Sequence, residues 1–189
     1  MIPKLVFTEF LKRMGFKTFR MLVLVVELAV LFVFYEQVAY ANAVYKFTNT
    51  LGGTGADLGR SVAVDSSGNV YITGSFRSTN ADFDSGAGTD NHSAMGQEDI
   101  FLTKINSDGT YGFTKTMGGT DADLGRSVAV DSSGNVYITG SFRSTNADFD
   151  PGAGTDNHSA MGREDIFLTK INFDGSYNLT TTIGGTDQD

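Results

Sequence analysis

Six carboxylates in two matching loops are the residues of this chain best spaced for chemistry. Asp82, Asp84 and Asp90 stand at positions 1, 3 and 9 of a glycine-rich stretch, and Asp148, Asp150 and Asp156 repeat the arrangement. Several oxygens on a tightly turning backbone suit a hard cation, and calcium at these six positions is one expectation. The spacing departs from an EF-hand loop, because position 5 is Gly86 or Gly152 and position 12 is Ser93 or Ser159 in place of a bidentate Glu. The other expectation is local: the aspartates cap turns that the glycines permit, and no cofactor is required.

The remaining candidates are weaker. His92 and His158 occupy one repeat position, and a single histidine type in a chain without cysteine is a poor start for zinc or a nucleophilic triad. They read as solvated loop residues. Asp57 with Arg60, and Asp123 with Arg126, flank a Leu-Gly step and read as ion pairs between repeat units. Gly52-Gly53 and Gly118-Gly119 lack the Lys-Ser/Thr and the following helix of a phosphate loop. Asn91, Asn157 and Asn178 open glycosylation triplets, which matter only in a host with the machinery. No catalytic residue emerges.

What must position these side chains is a repeat. Residues 51–116 recur as 117–182 with 57 of 66 positions identical, and Ile183 opens a third copy. A period this long makes each copy a supersecondary unit. Within copy one, residues 61–65 and 69–76 alternate apolar and polar side chains around Ser66 to Gly68, the pattern of a hairpin. Residues 99–105 and 111–117 form a second hairpin across Asn106 to Gly109. Each copy is thus expected to be four antiparallel strands. Ile100, Phe101 and Leu102 are consecutive and apolar, so both faces of that strand should be covered, as in stacked sheets. Four-stranded sheets stacked radially make a β-propeller. A parallel β-helix is the alternative, but the 66-residue copy contains no shorter inner period. Residues 45–51 resemble 111–117 and are expected to supply the last strand of a preceding blade.

The connection from Arg77 to Glu98 far exceeds an ordinary hairpin loop, and such loops are functional or disordered. In a four-strand meander it shares one end of the sheet with the 118–126 connection, leaving the tight turns at the other end. The long-loop end is the candidate binding face. Five of the nine differences between copies, at 107/173, 110/176, 112/178, 113/179 and 115/181, fall in the last turn and last strand, which fits an outer, tolerant edge.

Composition narrows the class. The 189 residues contain no cysteine or tryptophan, two prolines and 23 glycines, so there is no disulfide framework and many turns. From Asn42 onward, 9 basic residues face 19 acidic ones, a net charge of −10, whereas the first 41 residues carry +2. Nucleic acid is excluded as a partner class on this balance. Five basic residues precede the apolar run 21–35, and Ala39-Tyr40-Ala41 follows it, the order of a secretory signal cut after Ala41. The run would reach about 22 Å as a helix against a ~30 Å bilayer core, and it contains Glu27. The alternative is an uncleaved anchor using residues 21–41. Either places the repeats outside the cytoplasm.

Residues 118–120, 127–140, 147–151 and 165–172 together resemble the bacterial SBBP family, the β-propeller repeat of exported and cell-surface proteins. The resemblance runs from Tyr45 to Asp189. It implies propeller blades and an extracytoplasmic setting, and it implies no catalytic residues. The chain departs in number, since the family's name calls for seven blades.

The expected organisation is therefore an all-β chain behind a signal or anchor helix. Residues 1–41 are the leader, 42–50 the lead-in strand, 51–116 and 117–182 two blades, and 183–189 the start of a third. The expected function is a non-enzymatic scaffold or adhesion module, exported from a bacterium, that meets a protein or glycan at its long-loop face. The alternatives are a propeller hydrolase or lyase with metal in the channel, and a truncated fragment without independent activity. Two blades cannot close a ring, so self-association or further blades are expected.

Overall fold

The residues that alternate in the sequence are strands in the structure, a computed structural model that describes residues 46–186. In the first copy β1 (Asp57–Val64), β2 (Val70–Phe76), β5 (Asp99–Ile105) and β6 (Tyr111–Met117) form an antiparallel sheet in the order β1-β2-β5-β6. In the second copy β7 (Asp123–Val130), β8 (Val136–Phe142), β11 (Asp165–Ile171) and β12 (Tyr177–Ile183) repeat that order. The long connection adds a two-residue ribbon, β3 (Ala81–Asp82) with β4 (Asn91–His92), matched by β9 (Ala147–Asp148) with β10 (Asn157–His158). Each unit therefore has four long strands, as expected, plus a ribbon that the sequence did not announce.

β1 starts four residues before the alternation does. Its register on β2 shifts between Gly59 and Ser61, so Arg60 is the extra residue of a β-bulge, and the bulge breaks the period. Gly125 and Ser127 bracket the same shift in β7. The tight turns are set by Gly68 (φ 82) and Gly109 (φ 90), left-handed positions that favour glycine.

β7 packs on β1, β2 and β5, so the two sheets stack face to face through the first strand of the second unit. A core that includes Ile100, Leu102 and Met117 of the first unit and Val128, Ile138 and Phe167 of the second fills the joint. Stacking, and not sequence, decides burial here. The eight letters of β1 and β7 are identical, yet Val62 is 62 % exposed and Val128 is 8 % exposed. The expectation that β5 is covered on both faces holds for Ile100, Phe101 and Leu102. In β11 only Phe167 of the equivalent three is buried, because among the described residues no further sheet packs on that face.

Residues 46–51 depart from expectation. They form no strand among the described residues. The segment nevertheless lies where a preceding last strand would: the Phe47 ring covers Gly109, as the Phe113 ring of β6 covers Gly175 in the next unit. Asn49 also donates to the Gly109 carbonyl at 3.1 Å. Among the described residues no β5-equivalent strand lies beside the segment for it to pair with. The leader segment and its cleavage or anchor alternatives lie outside the described residues, and among those residues no helix is long and apolar enough to cross a membrane.

Candidate functional site at the long-loop end

The 77–98 connection is built around Phe83. Its buried ring packs on Phe76 (5.4 Å between centroids), Phe101 (5.1 Å) and the His92 imidazole (5.7 Å). Asn80, at φ 60, turns the chain into the ribbon, and its amide donates to Ser93 Oγ at 2.9 Å. Asn tolerates that left-handed conformation better than most residues. The ribbon is tied to the start of its unit by Gly52 and Asp82, whose amides and carbonyls exchange two hydrogen bonds, as Gly118 and Asp148 do in the second copy. A loop that length alone marked as functional or disordered is thus ordered by its own aromatic core.

The six aspartates come together in two triplets, and each places one carboxylate oxygen on a local donor. Asp82 Oδ1 accepts the amides of Asp84 (2.9 Å) and Asp90 (3.0 Å), and Asp84 Oδ1 accepts that of Gly86 (2.7 Å). Asp148 and Asp150 do the same toward Asp150, Asp156 and Gly152. Asp90 accepts the Tyr111 hydroxyl and faces His92 Nε2 at 3.1 Å. Burial alone would raise the Asp90 carboxyl, but the Tyr111 and His92 contacts outweigh it and hold it below the usual range. Asp156 has the equivalent partners in Tyr177 and His158. Among the described residues no group of three or more His, Cys, Asp or Glu side chains is arranged to hold a metal ion. What the geometry shows for these aspartates is turn capping.

Two expectations are corrected. The histidines are not solvated: each is half-buried, with Nδ1 3.2 Å from Thr116 Oγ1 for His92 and 3.3 Å from Thr182 Oγ1 for His158. Nor do Asp57 and Asp123 pair with Arg60 and Arg126. Asp57 accepts the Gly53 amide (2.7 Å), the Ser78 hydroxyl (2.7 Å) and the amides of Arg77 and Ser78. Burial raises its carboxyl, and these donors together bring it below the ordinary value. Arg126 lies 3.8 Å from Glu164 instead.

At the long-loop end the two units enclose a groove of about 230 Å³ whose lining includes Ser93, Met95, Asp99 and Thr116 from the first and Asp148 and Asp150 from the second. Asp99 was missed by sequence reasoning. It is 2 % exposed, its Oδ2 accepts the Met95 amide at 2.8 Å, and its Oδ1 has no partner. Burial, with the Asp123 charge adding to it, pushes its carboxyl up to about 6 against the pull of the Met95 amide. The available signal was an acid pair, Glu98-Asp99, directly before the apolar run Ile100 to Leu102. A second groove, lined by Ser67, Tyr71, Lys104 and Phe173 among others, sits between the tight turns.

Four-stranded antiparallel meanders stacked through their first strands, with long connections gathered at one end, define a protein of the β-propeller type. The profile of SBBP, a beta-propeller repeat, matches residues 48–84 and 113–150, so the resemblance read from the sequence is shown for those two stretches. The chain is also similar to an uncharacterized WD repeat-containing protein of Acanthamoeba polyphaga mimivirus, with 32 % identity over 105 residues. That match covers 49 % of this chain and 8 % of the viral protein.

Proposed function

We propose that this chain is an exported or cell-surface β-propeller repeat protein that works as a non-enzymatic binding scaffold, taking a protein or glycan ligand at its long-loop end. The observation that carries the reading is the inter-blade groove there, because both units contribute to its wall and its loops are held rigid by Phe83 and Phe149. Preorganised loops spare a ligand the cost of ordering them. Acidic Asp148 and Asp150 beside apolar Met95 and Pro151 suit a ligand that presents a cationic group on a short apolar stem. Repeat symmetry supports a binding role over catalysis: the differences between the copies place no distinct acid, base and nucleophile on different blades.

The test is binding of the full-length chain to peptide and glycan arrays, beside Met95→Lys, which places a like charge in the groove mouth for a cationic ligand. The reading expects a ligand class whose signal falls at least tenfold in the variant. Array signals indifferent to Met95→Lys, or turnover of the arrayed compounds on adding divalent metal, would contradict it.

A further inference from the structure

The joint between the blades is built from two faces, and the chain exposes a second copy of each. On β7 the docking face consists of Val128 and Val130 with Gly125 between sheets. A Cβ on Gly125 would stand 2.5 Å from Thr73 Oγ1 and 2.9 Å from the Gly74 carbonyl, so only glycine lets the strand approach. Val128 donates its amide to Ser61 Oγ at 3.2 Å, and Asp123 donates its amide to the Glu98 carbonyl at 2.8 Å. The receiving face is Ile100, Leu102 and Met117, all essentially buried.

The same residues, 66 positions away, lie open at the two ends of the stack. At the head, Val62 and Val64 of β1 are exposed, and a Cβ on Gly59 would meet only Ile72 Cγ2, at an ordinary 3.8 Å. At the tail, Ile166, Leu168 and Ile183 are exposed: Leu168 at 43 % where Leu102 is at 0 %, and Ile183 at 63 % where Met117 is at 2 %. Asp165 Oδ1 is unpartnered there, as Asp99 Oδ1 is in the joint. An exposed apolar face of this kind marks an interaction surface. Here the internal joint shows what fits it.

We propose that the head of one copy docks on the tail of a second copy of this chain, with β1 packing on β7, β8 and β11 of its neighbour by the contacts β7 makes on β1, β2 and β5. The interface is heterologous, so two different faces meet and chains add in one direction. Gly59 takes the role of Gly125 and approaches Thr139 and Gly140 of the neighbour. Val62 covers the Leu168 side of the sheet. This rests on the joint alone and not on the ligand reading of the long-loop end.

The asymmetry of Gly59 supplies the test. A larger side chain there has room within its own chain but none in a docked pair, so Gly59→Val blocks the head while the fold is kept. Leu168→Glu blocks the tail at a position already half in water. Full-length chain in a nonionic detergent, at tens of micromolar, is followed by light scattering coupled to size exclusion, with circular dichroism confirming that each variant is folded. The wild type should show about two or more times the 20.2 kDa chain mass, rising with concentration. Each variant alone should be monomeric. An equimolar mixture should return dimers, because the Gly59→Val chain keeps a sound tail and the Leu168→Glu chain a sound head. A wild type that stays monomeric, variants that assemble like the wild type, or a mixture that stays monomeric would each overturn the proposal. The first result would leave these faces to further blades or to an unrelated protein.

Discussion

Asp99 of the first blade and Asp123 of the second face each other across Gly118: a Cβ on that glycine would stand 2.9 Å from Asp99 Oδ1 and 3.0 Å from Asp123 Oδ2. The two carboxylates are treated unequally. Asp123 accepts the amides of Gly119, Arg143 and Ser144 and the Ser144 hydroxyl, whereas Asp99 keeps one oxygen without a donor. Asp99 is the acid whose burial goes uncompensated.

A pH dependence follows from that inequality. With its carboxyl raised from 3.8 to about 6, Asp99 holds its proton more tightly in the folded than in the unfolded chain. Stability from this group is complete below about pH 4, declines as pH rises toward 6, and is flat above. Asp99→Asn removes the decline. It should match the wild type at pH 4 and exceed it at pH 7 by on the order of 1–3 kcal/mol in urea unfolding. Equal midpoints at both pH values would show that burial beside Asp123 does not raise the Asp99 carboxyl.

Gly74 and Gly140 face the carbonyls of Leu58 and Leu124 so closely that any Cβ would collide with backbone. Gly74→Ala and Gly140→Ala should each cost about 2 kcal/mol or more, because the first strand must move off the second. Gly59→Ala, by contrast, should be neutral or gain up to about 1 kcal/mol. Thermal melting of the three variants checks the order.

The aspartate loops should not depend on calcium. Asp82 Oδ1 already takes two amides and Asp84 Oδ1 one, so a cation drawing on those oxygens would compete with hydrogen bonds that order the ribbon. Melting curves in millimolar calcium and in chelator are expected to superimpose. A cation bound at a hundredfold excess over Kd would add about 2.7 kcal/mol, and a shift of several degrees would return these residues to metal binding.

Processing can be read directly. Under the proposed export the mature chain should begin at Asn42, since Ala39-Tyr40-Ala41 is the small-x-small site just after the apolar run. Intact mass of exported material gives the start. A membrane-bound species retaining residues 21–41 would show an anchor instead.

The strands were legible because their signal is local. Residues 69–76 and 99–105 alternate or run apolar between turn-forming residues, and the β2, β5 and β6 boundaries fall within one residue of that reading. The start of β1 was hidden by the Arg60 bulge, which breaks the period the reading depends on. The ribbon of Ala81 and His92 escaped because two-residue strands carry no period at all. In the site, spacing located the six aspartates but not the use of their oxygens, since a carboxylate that caps an amide and one that binds a cation look alike in sequence. Asp99 needs the neighbouring blade to become unusual, and no single-strand pattern contains that neighbour.

The two copies are consecutive stacked blades, so that identical letters have different surroundings. The chain has no cysteine, and single Val62→Cys and Val128→Cys variants report those surroundings without interference. Their thiol-labelling rates in the folded full-length chain, at submicromolar concentration to disfavour head-to-tail pairs, are the direct measurement. Val62→Cys should react at close to the rate of an unfolded peptide, and Val128→Cys about a hundredfold more slowly or less, because it opens only with the joint. Equal rates at the two positions would contradict the stacking of the blades.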